Sequence, residues 1–273
     1  MRYAQNVKGY TAPKTKAAEE QTRLLMERAE ALGETPEDPL LLFSVLYGSW
    51  AASFVAFKGN AVRELATQFL ALAEKQNATV PLMVAHRLMA ASLLFTGDFA
   101  KCRSHSDQAI TLYEPAEHRS LAIRFGQDVR VAILSQRSLA LWMLGYPGAA
   151  CADAERAIQE ARVIGQAATI MYVLFWASAT YVCCGKYAAA SPLIDELVLL
   201  AGKKGAFHWR ALGRMEQGVE MALSGDSAGA GDLCARRGPR ELCSSGNRLA
   251  NCARCKRRTQ VGHCESLRGN KSP

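Results

Sequence analysis

Glycine placed after each apolar helical stretch constrains this chain more than any other feature. Gly59, Gly97, Gly145, Gly185 and Gly225 each follow one apolar segment and precede another, at spacings of 38, 48, 40 and 40 residues. Aligned on these glycines, the sequence falls into columns. Seven residues before the glycine stand Ala52, Ala90, Ser138, Ser178 and Gly218, all small; four before it stand Val55, Leu93, Leu141, Tyr181 and Met221, all large and apolar. Twelve after it stand Ala71, Ala109, Ala157 and Leu197, and five after it Cys102, Ala150 and Ala190, with Glu64 breaking the last column in the first unit.

Close helix packing explains such columns. A small residue lets two helix axes approach, and the large residue one turn later fills the groove beside it. A glycine turn then reverses the chain. These are the features of a tetratricopeptide-like helix–turn–helix unit, with Gly97-Asp98-Phe99 and Gly185-Lys186-Tyr187 as its best turns. A period longer than the usual ~34 residues implies longer helices. The spacing of 48 places one insertion near Pro115–Gln127. A generic bundle with coincidental glycines is the competing reading. The expected fold is therefore all-α: a flexible N-terminus over residues 1–14, a tetratricopeptide-like α-solenoid over 15–228, and a disordered tail over 229–273.

Two uncharged stretches, Leu40–Phe57 and Val163–Gly185, come close to the length of a membrane span. Repeat phase explains them instead, because Leu40–Phe57 and Thr169–Cys184 both fall on first helices. Their partners, Asn60–Lys75 and Tyr187–Ala201, are charged on one side. A first helix between neighbours is apolar all round because it is buried all round. With no apolar segment near the N-terminus resembling an export signal, the expected compartment is the cytoplasm and the expected cysteine state is the free thiol. Lys16–Gly33 reads as a second helix lacking its first. Ala206–Leu223 reads as a first helix followed by a turn but by no second helix. The solenoid is expected to be open at both ends and prone to self-association.

The net charge of +8 and the nine cysteines point toward nucleic acid or zinc until they are located. Residues 229–273 hold ten Lys and Arg, three acids and five of the cysteines, so the body is nearly neutral. Three readings compete for this tail. A zinc site would draw on Cys252, Cys255, His263 and Cys264, with Cys243 as a reserve; a single C-x-x-C and adjacent His-Cys ligands make it a weak site. A basic arm around Arg254–Arg258 would hold phosphate without reading sequence. Disorder is the third reading, sharpened by the abrupt change in composition to a frameshift near residue 228.

No phosphate-binding loop, dinucleotide fingerprint, nucleophile elbow or H-E-x-x-H motif is present in the sequence. No catalytic residue or cofactor is expected. His86 reads as an interfacial imidazole, the Cys183-Cys184 pair as buried thiols, and Trp142 and Trp176 as core. A groove on the inner face of the superhelix would be lined ten residues before each glycine by Ser49, Arg87, Ser135, Phe175 and Met215. It would be flanked six before by Ser53, Ala91, Leu139, Ala179 and Val219. Only Arg87 in that set suits an acidic peptide, so an apolar protein partner fits better. The alternative is that the superhelix buries these positions against itself.

The runs His86–Ala100 (HRLMAASLLFTGDFA) and Leu112–Pro147, with the stretch Ile164–Met171, resemble the C-terminal helical repeats of large bacterial proteins that carry a class III adenylate/guanylate cyclase domain followed by an AAA-type ATPase domain. The resemblance covers about residues 5–228. It implies a repeat segment that contacts protein partners or neighbouring domains, and it carries over no catalytic motif. Two expectations follow from it in order, a non-catalytic interaction or regulatory module and a chain accessory to cyclic-nucleotide synthesis through an intact cyclase. The composition of the tail adds a third, a metal- or nucleic-acid-binding protein acting through residues 229–273.

Overall fold

In a computed structural model, residues 41–56, 58–225 and Gly229 are described. The segments 1–14 and Lys16–Gly33 lie outside these residues, as does the tail apart from Gly229. The described residues form an all-α array: α1 (Leu41–Val55), α2 (Gly59–Gln76), α3 (Thr79–Thr96), α4 (Phe99–Thr111), α5 (Pro115–His118), a 3-10 turn (Arg119–Leu121), α6 (Ala122–Phe125), α7 (Val129–Met143), α8 (Pro147–Ile164), α9 (Ala167–Cys183), α10 (Tyr187–Lys203) and α11 (Phe207–Ser224). Odd members α1, α3, α7, α9 and α11 are the first helices of successive units, and α2, α4, α8 and α10 the second. The insertion expected at 115–127 is where α5, the 3-10 turn and α6 interrupt the alternation.

The turns repeat in atomic detail. The backbone N–H groups of Asp98, Tyr146 and Lys186 donate to the carbonyls of Leu93, Leu141 and Tyr181, closing each first helix over a glycine at φ +88°, +88° and +73°. In the first unit Lys58 makes the same bond to Ser53, at 3.0 Å. The turn there lies two residues before Gly59, which is the first residue of α2 and has no left-handed backbone. Counted from Lys58, Asp98, Tyr146 and Lys186, the period is 40, 48 and 40.

This correction changes the first-unit columns. Val62, buried, takes the place assigned to Glu64; Phe69 takes that of the exposed Ala71; and Trp50, not Ala52, stands in the small column. The reason for the small column is now explicit. Trp50 Nε1 donates to Ser92 Oγ at 3.1 Å, and the Ser138 and Thr180 hydroxyls share a hydrogen bond at 2.8 Å, each pair 42 residues apart. First helices therefore touch along one register, and a polar atom there finds its partner one unit later. Glycines also close the second helices, with Gly165 and Gly205 in the left-handed region, and Asn77 at φ 48° does so in the first unit.

The core falls into two clusters that meet at α3 and α7, one built on α1 and α2 with the insertion and the other running through α8, α9 and α10 to α11. Among the described residues one helix, Thr79–Thr96, is long and apolar enough to cross a membrane, and 61% of it is buried in the array. The stretches inside Leu40–Phe57 and Val163–Gly185 form shorter helices, and α9 buries twelve residues, Trp176 among them. Trp142 is only half-buried. Pro192 lies in an unbroken α10, exposed and past the first turn.

Candidate functional site

The expected groove positions do not form a groove. Arg87 is 2% exposed, Ser135 0% and Phe175 5%, while Ser49 and Met215 are half-buried. The first helices sit so close that positions ten before the turn face the next unit. Ser135 spends its hydroxyl on the Val131 carbonyl of its own helix. Arg87, Ser135 and Phe175 are buried where a channel would need them open, and with the first turn set by Lys58 the first-unit position in that column is Tyr47, not Ser49.

Arg87 instead anchors a buried polar knot between α1, α3 and the insertion. Its guanidinium donates to the Tyr47 hydroxyl at 3.3 Å and lies 5.5 Å from that ring's centre. Tyr47 donates onward to the Phe125 carbonyl at 2.6 Å. Gln127, its amide turned so that both ends are satisfied, accepts from Arg87 and donates to the same carbonyl. A buried cation held this way is well solvated by protein dipoles. It fixes the insertion in place.

His86 on α3 and His105 on α4 meet Nδ1 to Nδ1 at 2.9 Å, with ring centres 5.2 Å apart. The centre separation exceeds the nitrogen separation by about two ring radii, so the nitrogens point head-on at each other. Metal ligation requires both lone pairs to converge on a third point; head-on approach is an N–H···N hydrogen bond carrying one proton. Among the described residues no group of three or more His, Cys, Asp or Glu side chains is placed to hold a metal. The zinc alternative, Cys252, Cys255, His263 and Cys264, lies outside the described residues, as does the basic arm.

The thiols differ from expectation. Cys183 is exposed and Cys184 half-buried, because the helix ends there and the pair straddles the turn. Burial, then the neighbouring Cys151 thiol, pushes Cys184 up to about 11, and burial pushes Cys102 up to about 12. Both are protonated at neutral pH and poor nucleophiles.

The surface with unspent polar capacity is at the C-terminal end. A cleft of about 240 Å³ between α10 and α11 is lined by Ile194 and Asp195 from one helix and Arg214, Gln217, Glu220 and Met221 from the other. Gln217 Nε2 donates to Asp195 Oδ1 at 2.7 Å. Gln217 Oε1 and Arg214 Nε are buried without a hydrogen-bond partner among the described residues. Forty residues earlier the corresponding α9 side chains, Leu174, Ala177, Thr180 and Tyr181, are all buried. Thr180 and Tyr181 are covered from the preceding side, by Ser138 of α7 and by Cys151 and Glu155 of α8. No family model matches the chain, and no curated protein matches it.

Sequence reasoning missed this cleft because it aligned positions for what they share, whereas the cleft is defined by where α11 departs from the column. Arg214 where a leucine stood, and Gln217 where an alanine stood, were the available signal.

Proposed function

We propose that the chain is a non-catalytic helical-repeat module that binds protein, similar to the C-terminal repeats of cyclase–ATPase proteins, and that its contact surface is the α10–α11 cleft. One observation supports this above the others: the cleft occupies positions that α9 buries one unit earlier, and it presents a guanidinium nitrogen and an amide oxygen without a hydrogen-bond partner among the described residues. Buried polar atoms left unpaired cost about 1–3 kcal/mol each. A partner helix that offers an acceptor to Arg214 and a donor to Gln217 removes that cost on binding.

The partner class that follows from the resemblance is a neighbouring ATPase or cyclase domain. Sedimentation of the chain with separately produced ATPase and cyclase segments of such a protein tests this. The expected result is a complex with one of them that Arg214→Glu abolishes. Failure to bind either segment overturns the reading, as does cyclic nucleotide formed by the purified chain alone.

A further inference from the structure

Two of the thiols outside the cleft form a pair. Helices α8 and α9 run back along each other from the turn at Gly165, which stands at φ +70°. Cys151 and Glu155, four apart, share one face of α8; Tyr181 and Cys184, three apart, share one face of α9, whose helical backbone Cys184 continues as the C-cap. These two faces meet. Tyr181 faces Cys151 and Glu155, and the thiols of Cys184 and Cys151 are hydrogen-bonded to each other. Both sulfurs belong to one apolar cluster.

The thiols differ in access. Cys151 is 5% exposed, whereas Cys184 is half-buried at the end of its helix. Cys183 is exposed, and adjacent helical residues project about 100° apart, so it does not share the face turned to Cys151. A small oxidant therefore meets Cys184 first and Cys151 only through it. Two thiols already in contact need only a side-chain rotation to reach the sulfur–sulfur bond length of about 2.05 Å.

We propose that Cys151 and Cys184 are a redox modification site, oxidised by hydrogen peroxide to a disulfide that ties the N-terminal part of α8 to the end of α9. The Cys184 thiolate attacks one peroxide oxygen, the O–O bond breaks and hydroxide leaves, giving a sulfenic acid. The Cys151 thiolate then attacks the Cys184 sulfur, forming the S–S bond and expelling the sulfenic oxygen as hydroxide. The two thiol protons go to the two hydroxides, so two thiols are oxidised and one peroxide is reduced to two waters. Burial, which pushes Cys184 up to about 11, keeps thiolate scarce at neutral pH, so the first step is slow there and speeds about tenfold per pH unit below that value. The ionisable groups facing the pair are Glu155 on α8, the Tyr181 phenol, the Cys183 thiol and Lys186 in the following turn. The site is built on other helices than the α10–α11 cleft and does not depend on what binds there.

The full chain, reduced, freed of reductant and treated with hydrogen peroxide at pH 8, tests this. Remaining thiols are alkylated, and peptide mapping assigns each of the nine cysteines. The expected product is a peptide pair linked 151–184, two hydrogens lighter than the reduced pair and split by dithiothreitol. Cys183→Ser is expected to leave the link in place. Cys151→Ala, checked by circular dichroism to be as helical as the parent, is expected to stop at a Cys184 sulfenic acid that dimedone traps. The linked chain is expected to melt several degrees above the reduced one, because the bond closes a loop in the unfolded chain. A folded chain whose Cys184 links instead to Cys183 or to a second chain overturns the proposal. So does one in which Cys151 and Cys184 stay thiols after Cys183 is fully oxidised, or a 151–184 link that leaves the melting midpoint unchanged.

Discussion

Ser178 on α9 and Glu216 on α11 are hydrogen-bonded to each other inside the array. Ser178 has one proton, and the carbonyl of Phe175 stands 2.9 Å from its oxygen to receive it. The carboxyl that touches Ser178 must then bring its own proton. Burial explains how, raising Glu216 to about 8. A protonated buried carboxyl is a neutral hydrogen-bond donor and joins α9 to α11 without a charge.

Stability is accordingly expected to fall as pH rises. The folded chain holds the Glu216 proton that the unfolded chain releases near the ordinary 4.5, so the contribution is complete below about 4.5 and is lost as pH climbs through about 8. Denaturant midpoints measured from pH 6.5, above the range in which the buried histidines act, to pH 9 should decline, and Glu216→Gln, which keeps an N–H toward Ser178, should flatten the slope. A slope unchanged by Glu216→Gln refutes a neutral carboxyl.

Acid is expected to weaken the array by a separate route. Burial, and for His86 also the facing His105, holds both imidazoles below the ordinary 6.5, while Glu74 acts in the opposite direction on His105. Burial alone takes His208 down to about 4. Each folded-state value lies below its unfolded one, so the stabilisation is full above 6.5 and falls as pH drops below it, because unfolding binds protons. Two protonated rings cannot share one N–H···N bond. Midpoints should drop between pH 6.5 and 4.5. His105→Gln should remove the part owed to the pair, and His208→Phe the part owed to α11.

What could be read in advance follows from which residues have only one physical use. Gly97, Gly145 and Gly185 were legible because a left-handed turn between two apolar helices calls for glycine. Gly59 looked identical in sequence, but the bond from Lys58 to Ser53 sets the turn two residues earlier, and only coordinates show it. Trp50 was illegible for a related reason. A large ring entered a small column because its N–H reaches Ser92 across the interface. The cleft was hidden because Arg214 and Gln217 read equally well as a solvated face until the burial of Leu174 and Ala177 shows what that face does elsewhere.

Two alanine substitutions separate the turn glycines from the misleading one. Gly185 is held at φ +73° with nothing within 4 Å of an added Cβ, so Gly185→Ala meets no clash and costs only backbone strain, about 1–2 kcal/mol. Gly59 likewise has nothing within 4 Å but lies on a helix with no positive φ, so Gly59→Ala should be neutral or stabilising by up to about 1 kcal/mol. Equal destabilisation in urea titration would restore Gly59 as the first turn.

Asp128 is the junction on which the insertion depends. It is fully buried, and its two carboxylate oxygens serve different helices. One accepts the Val131 N–H at 3.0 Å and caps α7; the other accepts the Tyr113 hydroxyl at 2.7 Å, which ties down the end of α4. Its backbone N–H donates to Thr169 Oγ1 at 3.0 Å on α9. Burial, followed by this contact with Asp128, drives the Tyr113 phenol far above its ordinary value. Asp128→Ala removes the cap, at about 0.5–2 kcal/mol, and strands a buried hydroxyl at about 1–3 kcal/mol more. Tyr113→Phe alone removes both the donor and its need for a partner, and should cost much less. Asp128→Asn keeps an acceptor for the cap and should fall between the two. If Asp128→Ala and Tyr113→Phe shift the urea midpoint equally, the cap contributes nothing, and α7 is held by packing against its neighbouring helices alone.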